Sequence, residues 1–148
     1  MLGELVTKDL IKVNEECDDW KDAIGVGVEL LENKGVVENR YKDAIISNFK
    51  ELGPYMVIAP GIVLSHARPE GGVNETGISI VTLKKPLNFG NEQNDPVKLV
   101  VTLAAKDNEN HMELLAGLME MFLNAEDLKN VLQASNQNEV YEIMQKYN

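Results

Sequence analysis

The chain reads as a single α/β domain in which about five strand candidates are set among helices. Three observations predict it. Val97–Ala105 (VKLVVTLAA) is almost wholly apolar, as a central strand covered on both faces must be. Apolar residues recur at spacings of three and four from Trp20 to Leu31 and again beyond Asn110, the signature of amphipathic helices. Tyr55–Ile58 and Ile62–Leu64 are short apolar runs separated by Ala59-Pro60-Gly61, a break that no regular ladder tolerates.

Leu10–Val13 is the first strand candidate, followed by an acidic turn. Asp18 or Asp19 can cap a helix whose inner face carries Trp20, Ala23, Ile24, Gly27, Val28 and Leu31, and Gly35 marks its stop. Gly25 and Gly27 weaken that helix intrinsically, so either packing holds it or the glycines allow a close approach. Asn39 is placed to cap a second helix that turns Tyr41, Ala44, Ile45 and Phe49 inward and ends at Gly53-Pro54.

The glycine-rich stretch Glu70–Gly77 reads as a loop, Ile78–Leu83 as a strand, and Lys84–Pro96 as a polar surface loop. Asn110 and Glu113 resemble a capping box for the next helix. Its main stripe is Met112, Leu115, Ala116, Met119 and Phe122, widened by Leu114, Leu118 and Met121, with the methionines read as core filler. Two further helices start at Ala125 and Gln137, with Asn124/Asp127 and Asn136/Glu139 at their caps.

The 148 residues suffice for one domain with a real core, and 44% apolar and 26% charged residues are ordinary for a globular protein. A formal net charge of −10 argues against nucleic acid or an anionic membrane surface as partner, and allows a partner with a basic face. The lone Cys17 rules out an internal disulfide and fits a reducing, cytoplasmic setting. Its acidic neighbours Glu15, Glu16, Asp18 and Asp19 should raise its pKa, making it inert. The N-terminal MLGELVTKDL lacks the basic and apolar regions of a signal peptide, and no run is long enough to span a membrane.

The chemistry gathers at Ser65-His66-Ala67-Arg68-Pro69, where the second short strand ends. In extended chain, His66 and Arg68 share a face. An imidazole beside a guanidinium suits phosphate handling, the one as a nucleophile near neutral pH, the other as a planar fork of donors for oxyanions. The competing reading of His66 is a histidine that caps a strand edge. The other histidine, His111, falls in the first turn of the helix after the most apolar strand. Loops that follow strands converge on one edge of an α/β layer, so the two histidines share a cleft if their strands end together. The helix N-terminus favours a neutral imidazole and supplies N–H groups for an anion. Capping of its own helix is the alternative role for His111.

Gly53-Pro54-Tyr55, Ile58-Ala59-Pro60-Gly61-Ile62, His66-Ala67-Arg68-Pro69 and Ala104-Ala105-Lys106-Asp107 with His111 resemble enzyme IIA of the bacterial phosphoenolpyruvate-dependent sugar phosphotransferase system. The type is the mannitol/fructose one, the branch the ascorbate-type IIA proteins, and the resemblance spans residues 1–148 as one domain. It implies a mixed sheet of about five strands with helices on both faces. It further implies that His66 carries a phosphoryl group on Nε2, that His111 hydrogen-bonds that group, and that no cofactor takes part. The implied donor is the histidine-containing phosphocarrier protein. The implied acceptor is a cysteine on a separate IIB protein that serves a membrane IIC transporter. Members of the family usually have Pro before the active histidine; Ser65 stands here, which should loosen the local backbone. The chain has no P-loop, kinase glycine loop or paired-carboxylate metal site, so the phosphoryl group must arrive already activated on another protein. A regulatory protein of the same fold, signalling through its phosphorylation state, is the alternative within the family. A binding domain with two structural histidines is the alternative outside it.

Overall fold

The computed structural model describes residues 1–148. Its strands are β1 (Ile11–Glu15), β2 (Val57–Ala59), β3 (Ile62–Ser65), β4 (Gly77–Leu87) and β5 (Val97–Ala104). Its helices are α1 (Leu2–Leu5), α2 (Trp20–Asn33), α3 (Tyr41–Leu52), α4 (Asn108–Leu123), α5 (Ala125–Leu132) and α6 (Gln137–Met144). The strands form one mixed sheet in the order β1-β4-β5-β3-β2. β5 lies at its centre, and every residue of it except Lys98 is buried. β5 runs parallel to β3 and antiparallel to β4. β2 and β3 form an antiparallel pair across Pro60-Gly61, where Gly61 supplies the positive φ of 77° that the turn requires.

Helices cover both faces. On one, Ile24, Val28 and Leu31 of α2 and Tyr41 and Ile45 of α3 pack with Val63, Val81 and Val100. On the other, Leu114, Leu118, Val140 and Met144 pack with Leu64, Ile80, Leu99 and Val101. Full burial of side chains this size contributes roughly 1.5–3 kcal/mol each, so these two layers hold the sheet rigid beneath its edge.

The glycines of α2 serve close approach. Ser79 Oγ donates to the Gly27 carbonyl at 2.9 Å, and a Cβ on Gly27 would lie 2.3 Å from Thr102 Oγ1. Asp19 caps α2 by accepting from the Asp22 amide. At the other end Gly35 turns left-handed while Gly35 N and Val36 N donate back to Glu32 O and Leu31 O. Asn124 and Asn136 cap α5 and α6 as their sequence predicts.

Several expectations need correction. Lys84–Pro86 do not belong to a loop: β4 runs on to Leu87, which pairs with Val97 beyond a register irregularity. These residues are exposed, so the strand extends past the core without needing apolar side chains. Asn39 does not cap α3; its side-chain Nδ2 donates to Glu32 Oε1, and the helix starts from a turn in which Tyr41 N donates to Glu38 O. Asn110 is not a cap either, because Asp107 accepts from its amide. The inner stripe of α4 is Leu114, Leu118 and Met121, whereas Met112 and Met119 are 56% and 39% exposed. That helix is apolar on two sides, and periodicity alone does not choose between them.

Ser65 is not loose: it is the last residue of β3, fully buried and in register with Thr102. The loop after β4 strengthens this region. Asp95 accepts from the amides of Phe89, Gly90 and Asn91, and the side chains of Asn91 and Asn94 donate to the Val57 carbonyl. The hairpin that delivers His66 is thereby pinned from outside the sheet. No helix is long and apolar enough to cross a membrane.

Candidate functional site

Because β3 and β5 are adjacent and parallel, their C-terminal ends leave the sheet on the same edge. His66 follows β3 directly, and β5 leads through Ala105 to Asp107, which caps the helix bearing His111. The two imidazoles meet there with ring centroids 5.6 Å apart and planes inclined at 50°. Tyr55 stands edge-on to His66 at 6.1 Å. The cleft around them has a volume of about 590 Å³, and Arg68 shares it. All three residues singled out in the sequence are thus brought together.

His66 is oriented by its own strand. Its Nδ1–H donates to the Leu64 carbonyl at 2.9 Å. A carbonyl oxygen can only accept, so the proton of the neutral ring sits on Nδ1 and the lone pair on Nε2. Burial pushes the pKa of His66 below its ordinary 6.5; the bond to Leu64 opposes that shift and the neighbouring His111 adds to it. A neutral, nucleophilic imidazole near pH 7 is the result.

Arg68 is exposed, and no carboxylate pairs with its guanidinium. Pro69 follows it and opens a 3₁₀ turn to Gly71, which ends the extended segment. Asp107 lines the cleft, but one of its oxygens accepts from both the backbone and the side-chain amide of Asn110. Sequence reasoning missed Asn48, Glu51 and Leu52, which enter from the last turns of α3, and Asn108 from the start of α4. Gly53, with φ of 80°, and Pro54 turn the chain from α3 toward Tyr55. That break is visible in the sequence; the docking of α3 beside β3 is not.

Apolar side chains stand out on the cleft wall and around it. Leu52 is 65% exposed, Tyr55 47%, and Met112, next to His111, 56%. Arranged this way, the site offers one free imidazole nitrogen, a second imidazole, an unpaired guanidinium and a greasy rim. Such a set can accept and hand on an electrophilic, anionic group presented by a large partner.

A mixed five-strand sheet with two imidazoles and a guanidinium at its edge makes the chain an α/β domain with a site suited to an anionic group. The family described as "Phosphoenolpyruvate-dependent sugar phosphotransferase system, EIIA 2" matches residues 4–147, and the chain belongs to it. It is 39% identical over 145 residues to the "Ascorbate-specific PTS system EIIA component" of Shigella dysenteriae, covering 97% of this chain and 94% of that one. Identity to the component of the same name from Salmonella typhi is 46% over 126 residues, covering 85% and 80%. Among solved structures, the mannitol-specific cryptic phosphotransferase enzyme IIA CmtB of Escherichia coli superposes with a TM-score of 0.89 at 32% identity, covering 98% of both chains.

Proposed function

We propose that this chain, as one domain over residues 1–148, is the phosphocarrier IIA component of a sugar phosphotransferase system, acting in the cytoplasm on the uptake of ascorbate or a related sugar. The names of its relatives support the ascorbate reading. The observation that carries the phosphocarrier reading is the tethering of His66 Nδ1 to Leu64 O, which leaves Nε2 as the free nitrogen in a cleft shared with His111 and Arg68.

In the first step Nε2 attacks the phosphorus of a phosphohistidine on the histidine-containing phosphocarrier protein. The N–P bond to the donor imidazole breaks as the bond to His66 forms. The His66 ring gains positive character, and the Leu64 carbonyl at Nδ1 stabilises it. In the second step a cysteine thiolate of the IIB protein attacks the same phosphorus, and the P–Nε2 bond breaks with its electron pair returning to His66. The IIB protein then serves the IIC transporter in the membrane. Both transfers pass through a loose transition state that needs in-line positioning and donors for three equatorial oxygens. His111 and Arg68 are the donors. The exposed Leu52, Tyr55 and Met112 are the contact surface for the protein partners.

The test is incubation with phosphoenolpyruvate, enzyme I and the phosphocarrier protein, followed by mapping of the acid-labile phosphoryl group. One group on His66, lost in His66→Ala, is expected, with onward transfer to a IIB cysteine. Labelling that survives His66→Ala overturns the assignment. Phosphorylation of His66 with no onward transfer leaves the regulatory reading in its place.

A further inference from the structure

Tyr41 is the first residue of α3, far from either histidine in sequence, and is fully buried. Its phenolic oxygen makes two well-formed bonds: it donates to Leu103 O at 2.7 Å and accepts from Ala67 N at 3.0 Å. Ala67 O lies 3.3 Å away as a second acceptor. Ala67 adjoins His66, and Leu103 is on the strand that leads to His111. We infer that Tyr41 is a positioning residue for phosphoryl transfer, its hydroxyl locking the segment that bears His66 to the end of the strand that leads to His111. The inference rests on the phosphocarrier reading above.

Local structure explains the need for such a lock. β3 ends at Ser65, and the next helical turn starts at Pro69, so residues 66–68 lie outside regular structure. A short segment freed from the ladder swings unless something else holds its amides. Burial pushes the Tyr41 phenol up to about 12, so the hydroxyl keeps its proton and stays a donor across the working pH range. One oxygen that both donates to one chain segment and accepts from the other fixes their separation. The gap between the rings of His66 and His111 is set from beneath in this way. In-line transfer is sensitive to that gap, since a misplacement of about 1 Å can lower a rate roughly a hundredfold.

Tyr41→Phe keeps the buried ring and removes only the hydroxyl. The variant should still acquire a phosphoryl group on His66. Single-turnover transfer to the IIB cysteine should slow about ten- to hundredfold, and in the steady state kcat should fall while KM for the phosphorylated donor stays put. Hydrogen exchange at the Ala67 amide should quicken. Ile45→Val, on the same face of α3, is the control for core loosening: it should lower the melting temperature without slowing transfer. Tyr41→Phe transferring at the wild-type rate overturns the inference and leaves the phosphocarrier reading intact. So does a slowing that Ile45→Val reproduces at an equal loss of melting temperature. Wild-type protein that takes up no phosphoryl group overturns both together.

Discussion

His66 Nδ1 sits 2.9 Å from the carbonyl oxygen of Leu64, two residues back along the same chain. The strand therefore selects the tautomer of its own terminal histidine. Nitrogen-15 NMR of the neutral protein should find the proton of His66 on Nδ1, and phosphorylation should move the Nε2 signal. A phosphoryl group found on Nδ1 would contradict the orientation described here.

His66 also gives the protein a predictable pH response. Burial first, and His111 last, lower its pKa below 6.5 against the opposing bond to Leu64. As pH falls past 6.5 the unfolded chain takes the proton before the folded one does, so stability declines from there down to the folded pKa. Above 6.5, and again below the folded value, this histidine contributes no slope. Denaturant midpoints of wild type and His66→Gln across that window should differ in slope, with the variant flatter. Phosphoryl acceptance should hold its plateau as the pH drops through 6.5. An NMR titration midpoint for His66 at or above 6.5 would count against both expectations.

His111 faces His66 with ring centroids 5.6 Å apart, close enough for a phosphoryl group on one to meet the other. A hydrogen bond to a charged group contributes roughly 1.5–3 kcal/mol, about ten- to hundredfold in a rate. His111→Ala should therefore still accept phosphate on His66 but pass it on more slowly by that factor. The cap of α4 is Asp107, so its stability should fall by no more than about 1 kcal/mol. Resonances of His111 that do not move when His66 is phosphorylated would remove it from the site.

Much of this was legible because it is local. The all-apolar run of β5, the Pro60-Gly61 break before β3, and the asparagine caps of α5 and α6 each depend on neighbours in sequence. The meeting of His66 and His111 was legible only conditionally, since it requires β3 and β5 to be parallel neighbours, a pairing that neither strand encodes alone. The outward turn of Met112 and Met119 and the entry of Asn48 and Glu51 into the cleft were not legible. Both are decided by how whole helices dock. The helical spacing puts Tyr41 on the inner face of α3, where it lies, but its two backbone partners are 26 and 62 residues away and leave no local trace.

Arg68 is exposed and lacks a carboxylate partner, so its charge does little for folding, well under about 1 kcal/mol. Arg68→Ala should leave the melting temperature nearly unchanged while slowing phosphoryl transfer. Arg68→Lys should recover only part of the rate, because an ammonium lacks the planar fork. Transfer at the wild-type rate in Arg68→Ala would reduce this residue to a solvated charge.

The close approach of α2 to the sheet at Gly27 sets two effects of one substitution against each other. Helix propensity alone makes Gly27→Ala stabilising by up to about 1 kcal/mol, because glycine is a poor residue inside a helix. The fold opposes it: the new Cβ would lie 2.3 Å from Thr102 Oγ1 and 3.3 Å from Ser79 Oγ. Thr102 is fully buried in the central strand and has no room to retreat, so α2 or the sheet must shift. Overpacking of this kind typically costs 1–3 kcal/mol, which outweighs the propensity gain. Gly27→Ala should therefore lower the denaturant midpoint. Thr102→Ala removes the atom that clashes, and Oγ1 has no hydrogen-bond partner to lose. In that background Gly27→Ala should cost less than half as much, the residue of its cost coming from the contacts with Ser79 Oγ and with the Cβ that position 102 keeps, each at 3.3 Å. A double-mutant cycle reads this coupling directly. Equal costs in the two backgrounds would mean that Thr102 is not what keeps position 27 a glycine.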